Sequence, residues 1–236
     1  MKLFLFLLLI CCLHITDAAA QKKVKYKINP GEKILEKLPR EEIYTYPEFI
    51  KGTVYLRNNT ISIVPLNYNS VYAEMQFINP KGDTLSVADE KMIKLIVVNK
   101  DTFYYDKVCM KLIADQGKVK LANNEFFEIT NREKIGEFGQ PGRGSIETYN
   151  NISSKSYIKD IVANEIITMT KNNVFYIGDE FNNFRVVNKK NLMEMFANNQ
   201  EEVKAYLKDN KVDLSNEKDL KKMIVYFKKM MPVQPL

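Results

Sequence analysis

Thr53–Leu66 reads TVYLRNNTISIVPL, and this stretch decides the fold. β-Branched and aromatic residues (Val54, Tyr55, Ile61, Ile63, Val64) fill two short runs on either side of Asn58-Asn59, a dipeptide that tolerates the left-handed backbone of a tight hairpin turn. Two such runs joined by so short a link are antiparallel neighbours. The pattern then recurs downstream. Tyr72–Ile78 alternates Ala73, Met75 and Phe77 against Glu74 and Gln76, and Asn79-Pro80-Lys81-Gly82-Asp83 turns the chain into Thr84–Ala88. Further strands are expected at Ile93–Asn99, Thr102–Ala114, Lys118–Asn123 and Glu125–Thr130, with breaks at Lys100-Asp101 and at Asp115-Gln116-Gly117. Glu165–Thr170 and Val174–Ile177, around Lys171-Asn172-Asn173, and then Phe184–Val187 continue the series. Short strands recurring every 8–12 residues or so predict an antiparallel sandwich, roll or partly open barrel.

Outward from this core the pattern changes three times. Residues 131–158 crowd Gly136, Gly139, Gly142 and Gly144 with Pro141 and read as one long loop, either a binding loop or a connector. Residues 21–50 are polar and punctuated by Pro30, Pro39 and Pro47, a lead-in with one edge strand at Glu42–Tyr46 that Pro47 ends. The last forty-odd residues take up helical spacing. Leu192, Met195 and Phe196 make one face, Val203, Tyr206 and Leu207 a second, and Leu220, Met223, Ile224, Phe227 and Met230 a third. Asn199, with Glu202 after it, and Ser215 or Asn216 are the expected N-caps. The predicted class is α+β: an antiparallel β domain over 51–187 and three short C-terminal helices over 188–231 packed on it. Helices of this length are marginal alone and must dock.

The N-terminus carries an address. Lys2, the apolar run Leu3–Leu13 (LFLFLLLICCL) and Ala18-Ala19-Ala20 follow the three-part design of a secretory signal over residues 1–20, with the mature chain beginning near Gln21. The run stops well short of the ~20 apolar residues that span a bilayer, so no transmembrane segment is expected in the mature chain. Acylation at Cys11 or Cys12 is disfavoured by Ile10, where lipidation sites take a small residue.

Export has a chemical consequence. Cleavage would discard His14, the one histidine of the chain, and two of its three cysteines, leaving Cys109; tryptophan is absent throughout. Without histidine, Ser-His-Asp and Cys-His catalysis, histidine-ligated zinc and histidine-held haem are excluded. With one cysteine there is no intramolecular disulfide, so an ordinary hydrophobic core must hold the fold. Cys109, within the strand-like Val108–Ile113, reads as a buried structural thiol. The net charge is +6, with Lys22, Lys23, Lys25 and Lys27 forming a basic arm. Anionic lipid or acidic glycan would suit such a surface; nucleic acid is not expected outside the cytoplasm.

The local motifs carry little chemistry. The Gly136–Gly144 spacing lacks the Gly-Lys-Ser/Thr ending of a phosphate loop. Ser215-x-x-Lys218 matches a nucleophile motif whose partner elements are missing. Two acids brought together in space would suffice for glycoside hydrolysis; Glu74, Asp83, Asp106, Asp179 and Glu180 are candidates that only geometry could choose between. No calcium-loop spacing occurs. Lys218, Lys221, Lys222, Lys228 and Lys229 lie opposite the third helix's apolar face, which would pack on the domain or lie on an anionic membrane. Tyr55, Tyr68, Tyr72, Tyr104 and Tyr105 offer a sugar-stacking platform, although alternation places about half of them in the core.

Leu66-Asn67-Tyr68-Asn69, Glu74-Met75-Gln76-Phe77, Gly82-Asp83-Thr84-Leu85, Asp101–Tyr105 and the helical stretch Glu202–Tyr226 together resemble a group of uncharacterised exported proteins of Bacteroidetes, from about Gly52 to the end. The resemblance implies a Gram-negative envelope setting, periplasmic or associated with the outer membrane, and transfers no catalytic, cofactor-binding or metal-binding residue. The expected function is a non-catalytic binding or interaction module for an envelope protein, glycan or lipid, with no cofactor. The alternative is a carboxylate-dependent hydrolase of a cell-wall or dietary polymer.

Overall fold

The computed structural model describes residues 24–87, 90–133 and 165–230. The expected signal segment 1–20 and the Gly-rich stretch beyond Glu133 lie outside the described residues. Along the chain run β1 (Lys25–Ile28), the one-turn helices α1 (Ile34–Lys37) and α2 (Arg40–Ile43), β2 (Ile50–Leu56), β3 (Ile61–Asn69), β4 (Glu74–Ile78) and β5 (Thr84–Ser86). Then come β6 (Ile93–Val98), β7 (Asp101–Asp106), β8 (Val108–Asp115), β9 (Val119–Glu133), β10 (Ile166–Asp179) and β11 (Phe184–Val186). The helices α3 (Lys189–Met195), α4 (Gln200–Asp209) and α5 (Glu217–Phe227) follow. The fold is α+β, an open antiparallel sheet with short C-terminal helices.

All eleven strands form one sheet in the order β1-β10-β9-β8-β7-β6-β2-β3-β4-β5, with β11 also on β10. Two meanders, β2 to β5 and β6 to β10, join where β6 pairs β2. The edge strands are short: β5, β11 and β1 are three or four residues long, as edge strands that resist extension often are. The sheet curls. Four strands separate β3 from β9 in the order, yet Phe127 N donates to Ser70 O at 2.9 Å and Tyr68 Oη to Glu125 O at 2.7 Å. Inside the curl Val54, Leu66, Tyr68, Met75, Ile96, Phe103 and Cys109 are buried together.

The expected hairpin turn forms as read: Asn59 takes φ 64° and its N–H closes on Leu56 O. Four other local expectations are corrected. Glu42–Tyr46 is not an edge strand; α2 occupies its first half, and the lead-in's strand is β1, paired with β10. Thr102–Ala114 is two strands, because Lys107 at φ 64° makes a tight turn that lets Asp106 face Val108. Lys118–Asn123 and Glu125–Thr130 are one strand, β9, which takes in residues 131–133 as well. Glu165–Thr170 and Val174–Ile177 are also one strand, β10.

The lead-in contributes core. Ile28, Ile34, Leu38 and Ile43 are buried against Phe127, Ile167 and Met169. At the opposite end Leu220, Met223, Ile224 and Phe227 of α5 are fully buried with Val119, Leu121, Phe175 and Ile177, so this helix packs its apolar face on the sheet and turns its lysines outward. Asn216 is its N-cap, accepting from Lys218 N and Asp219 N, while Ser215 donates to Asp213. Asn188 caps α3 in the same way; Asn199 precedes α4 without a side-chain cap bond.

Candidate functional site

The site follows from a periodicity broken in the middle of two long strands. Residues two apart on a strand share a face, as do partners across a ladder. One face of β9 therefore shows Val119, Leu121, Asn123, Glu125, Phe127 and Ile129. Opposite them on β10, Ile177 faces Leu121, Phe175 faces Asn123, Asn173 faces Glu125, Lys171 faces Phe127 and Met169 faces Ile129. The face reads apolar, polar, apolar. The helices cover one apolar end and the N-terminal segment covers the other. The polar belt between them stays partly open.

A cleft of about 360 Å³ lies over this belt, bounded by Thr45 from the N-terminal segment, Glu217 and Lys221 of α5, and Asp101 and Lys111 of β7 and β8. Beneath it Tyr68 and Phe103 stack, ring centroids 6.0 Å apart, and are 4% and 2% exposed. Asp101, Glu125 and Glu217 line the cleft with Lys111 and Lys221, and each of these acids has a lysine partner, that of Glu125 being Lys171 from outside the lining. Lys111 Nζ is 2.8 Å from Asp101 Oδ2, Lys171 Nζ is 2.7 Å from Glu125 Oε1 and 3.3 Å from Glu42 Oε2, and Lys221 Nζ is 2.6 Å from Glu217 Oε1. Tyr46 Oη donates to the same Asp101 oxygen at 2.6 Å. Asn123 Nδ2 donates to Asn173 Oδ1 at 3.1 Å, and Asn123 Oδ1 is buried with no hydrogen-bond partner among the described residues.

These contacts set the protonation states. Burial alone would push the Asp101 carboxyl up; the hydrogen bonds from Lys111 and Tyr46 and the Lys111 charge outweigh it and hold the group below the ordinary carboxylate value. The Tyr46 phenol is driven well above its ordinary value by burial, then by its bond to the Asp101 carboxylate. Burial does the same to Tyr68. At neutral pH the cleft holds ionised Asp101, with the neutral Tyr68 phenol in its lining and the neutral Tyr46 phenol bonded to Asp101.

None of the five acids picked out in the sequence lies in the cleft. Glu74 is buried in β4, accepting from Ser86 Oγ and Gln76 Nε2. Asp83 and Asp179 accept within their own turns, from Asn79 and Asn183. Asp106 is exposed at the end of β7 and Glu180 sits in the β10–β11 turn. The five tyrosines form no platform: Tyr68 and Tyr105 are interior, Tyr72 and Tyr104 pack on separate clusters, and Tyr55 is half-buried on β2. Asp101 and Glu217 come to the cleft from β7 and α5, which no local spacing announces, and Glu125 was hidden because Asn123-Asn124-Glu125 and Lys171-Asn172-Asn173 have the composition of turns. The signal that could have found Glu125 is the spacing: each polar triplet is flanked by apolar residues that keep the same two-residue period on both sides.

Among the described residues no three metal-ligating side chains gather, and no helix is long and apolar enough to cross a membrane. No protein-family model, curated protein or solved structure matches the chain.

Proposed function

We propose that this chain is a non-catalytic binding module of the bacterial envelope whose polar cleft takes a glycan. The observation that carries this reading is the belt itself. Four polar side chains, Asn123, Glu125, Lys171 and Asn173, sit mid-strand on a face that is otherwise core. Apolar side chains at these places would join the clusters on either side and contribute up to about 1.5–3 kcal/mol each on full burial, so the polar choice is not the one that burial alone favours. A local choice that opposes stability marks a functional place.

The chemistry of the lining points to hydroxyls. Donors (Lys111, Lys221, Asn123 Nδ2) and acceptors (Asp101, Glu125, Glu217) interleave, and a sugar hydroxyl both donates and accepts. The volume, about 360 Å³, is at the small end of ligand pockets, roughly 300–1,000 Å³, and suits one or two sugar units. The same pairing works against a carboxylate-dependent hydrolase. A general acid must hold its proton near neutrality, which takes an apolar setting or a neighbouring anion; here each belt acid is matched to a lysine, and Asp101 is pushed the wrong way.

Calorimetric titration of the purified protein with cell-wall and lipopolysaccharide-core oligosaccharides tests the reading. Saturable binding that Glu125→Ala weakens about tenfold or more is expected. No saturable binding to any of these sugars overturns it, and recovery of cleaved sugar would move the assignment to the hydrolase. The envelope setting has its own check: mass spectrometry of the protein from its native cell should give an N-terminus near Gln21.

A further inference from the structure

A second concavity lies on the helical cap, away from the polar cleft. It holds about 470 Å³ between α3, α4 and the loop into α5. Its floor is Met193, Leu207, Val212 and Leu214, all half-buried, and its rim is Lys189, Lys204, Lys208 and Lys211. The two sets differ in what they can satisfy. Every lining side chain is either aliphatic, thioether or ammonium, so the groove presents cationic donors and apolar surface and no strong side-chain acceptor. The polar cleft interleaves both kinds; this groove does not.

The lysines are also poorly balanced. Lys204 pairs with Glu201 at 2.6 Å, but Lys189, Lys208 and Lys211 take part in no ion pair among the described residues. Lys204 and Lys208 stand one helical turn apart, where like charges repel. Lys211 follows the end of α4 at φ 48°, the left-handed place that glycine usually takes, and its N–H closes on Lys208 O at 3.1 Å while Val212 N closes on Leu207 O at 3.0 Å. This cap folds Lys211 and Val212 back to the groove.

We infer that this groove binds an anionic amphiphile, a single aliphatic chain ending in a carboxylate or similar acid, with the chain on the Met193–Leu214 floor and the head among the lysines. A peptide fits less well, because its backbone N–H groups would find no side-chain acceptor in the lining and unpaired buried donors are costly. An aliphatic chain has no donor to satisfy, contributes about 0.8 kcal/mol for each CH₂ it buries, and its anionic head relieves the repulsion between the lysines. Met193 supplies a floor that adapts to a flexible chain. The inference is independent of the glycan reading and uses none of its residues.

The test is titration of the purified protein with laurate below its micelle-forming concentration, beside dodecyltrimethylammonium and acetate. Saturable laurate binding is expected, with little response to the other two, since one lacks the right charge and the other lacks the chain. Lys208→Glu with Lys211→Glu should weaken laurate binding about tenfold or more. Both residues are exposed, so the variant should keep the parent's circular dichroism and melting curve. Glu125→Ala, in the other cleft, should leave laurate binding unchanged. Equal binding of the cationic and anionic amphiphiles, no saturation with laurate, or indifference to the double charge reversal would each overturn the assignment.

Discussion

At Asn123 the requirement of folding and that of the proposed glycan binding part. Its Nδ2 reaches Asn173 across the ladder, while its Oδ1 is buried without a partner among the described residues, and an unmet buried acceptor costs about 1–3 kcal/mol. Asn123→Val removes that orphan and adds a better strand former. The variant should unfold at equal or higher urea concentration than the parent, by up to about 1 kcal/mol, and should lose glycan binding; a clear drop in stability would mean that the side chain is structural. Asp101 gives the complementary case. Its folded pKa is lowered by Lys111 and Tyr46 against the effect of burial, so its contribution is present above the ordinary carboxylate value of about 4 and is lost as pH falls through the lower folded value. The pair is partly exposed, which limits its worth to about 1 kcal/mol or less. Asp101→Asn should therefore be slightly less stable at neutral pH, and its stability should decline less steeply than the parent's below about pH 4, as urea midpoints across pH would record.

At the scale of the elements, the tightest place is where β2 meets its two neighbours. A Cβ at Gly52 would come within 2.7 Å of Val97 O and 2.9 Å of Leu66 Cδ1. A backbone oxygen in a ladder has nowhere to go, so Gly52→Ala should cost about 1–3 kcal/mol. At Gly178 the obstruction is the Phe184 ring at 2.6 Å, on the three-residue edge strand β11, where a ring can turn aside. Gly178→Ala should cost less, and denaturation midpoints that rank the two the other way would refute the reasoning. The same elements show what a sequence can carry. The β2–β3 hairpin and α5 were legible because local signals agreed with the tertiary role: Asn59 supplies the left-handed turn, and the Leu220–Phe227 spacing makes a face that is wholly buried. The Lys107 turn was not, since a lysine at φ 64° has no compositional mark between two apolar runs. Nor was the continuity of β9 and β10. Their middles are polar because a cleft lies over them, and only the folded sheet, bringing the helices to one end and the N-terminal segment to the other, reveals that a polar triplet is mid-strand. Asp101 and Glu217 were unreadable as cleft acids because they are far from Glu125 in sequence and meet it through sheet curl and helix docking.

The whole molecule is organised around β9 and β10, which pair along their entire described length. The helical cap is buried on Val119, Leu121, Phe175 and Ile177 at one end of the pair, and Ile28, Ile34, Leu38 and Ile43 are buried on Phe127, Ile167 and Met169 at the other. The two clusters share no residue, but they share these strands, so neither can be lost without exposing apolar sheet that the other end is tied to. This arrangement predicts a single cooperative transition in place of a stable sheet shedding its ends. Leu38→Ala and Ile224→Ala test it, because each empties a fully packed place, one at each end, and should cost about 2–5 kcal/mol. Each variant should shift one urea transition, seen at the same midpoint by far-ultraviolet circular dichroism, which follows the sheet and helices, and by tyrosine fluorescence, which follows packing. The polar belt should transmit the loss, since Lys171 ties Glu125 of the sheet to Glu42 of the N-terminal segment. Were Leu38→Ala to give an early transition in one probe with the helices still folded, the N-terminal segment would be an independent flap, and the cleft beneath it would open and close without the rest of the molecule.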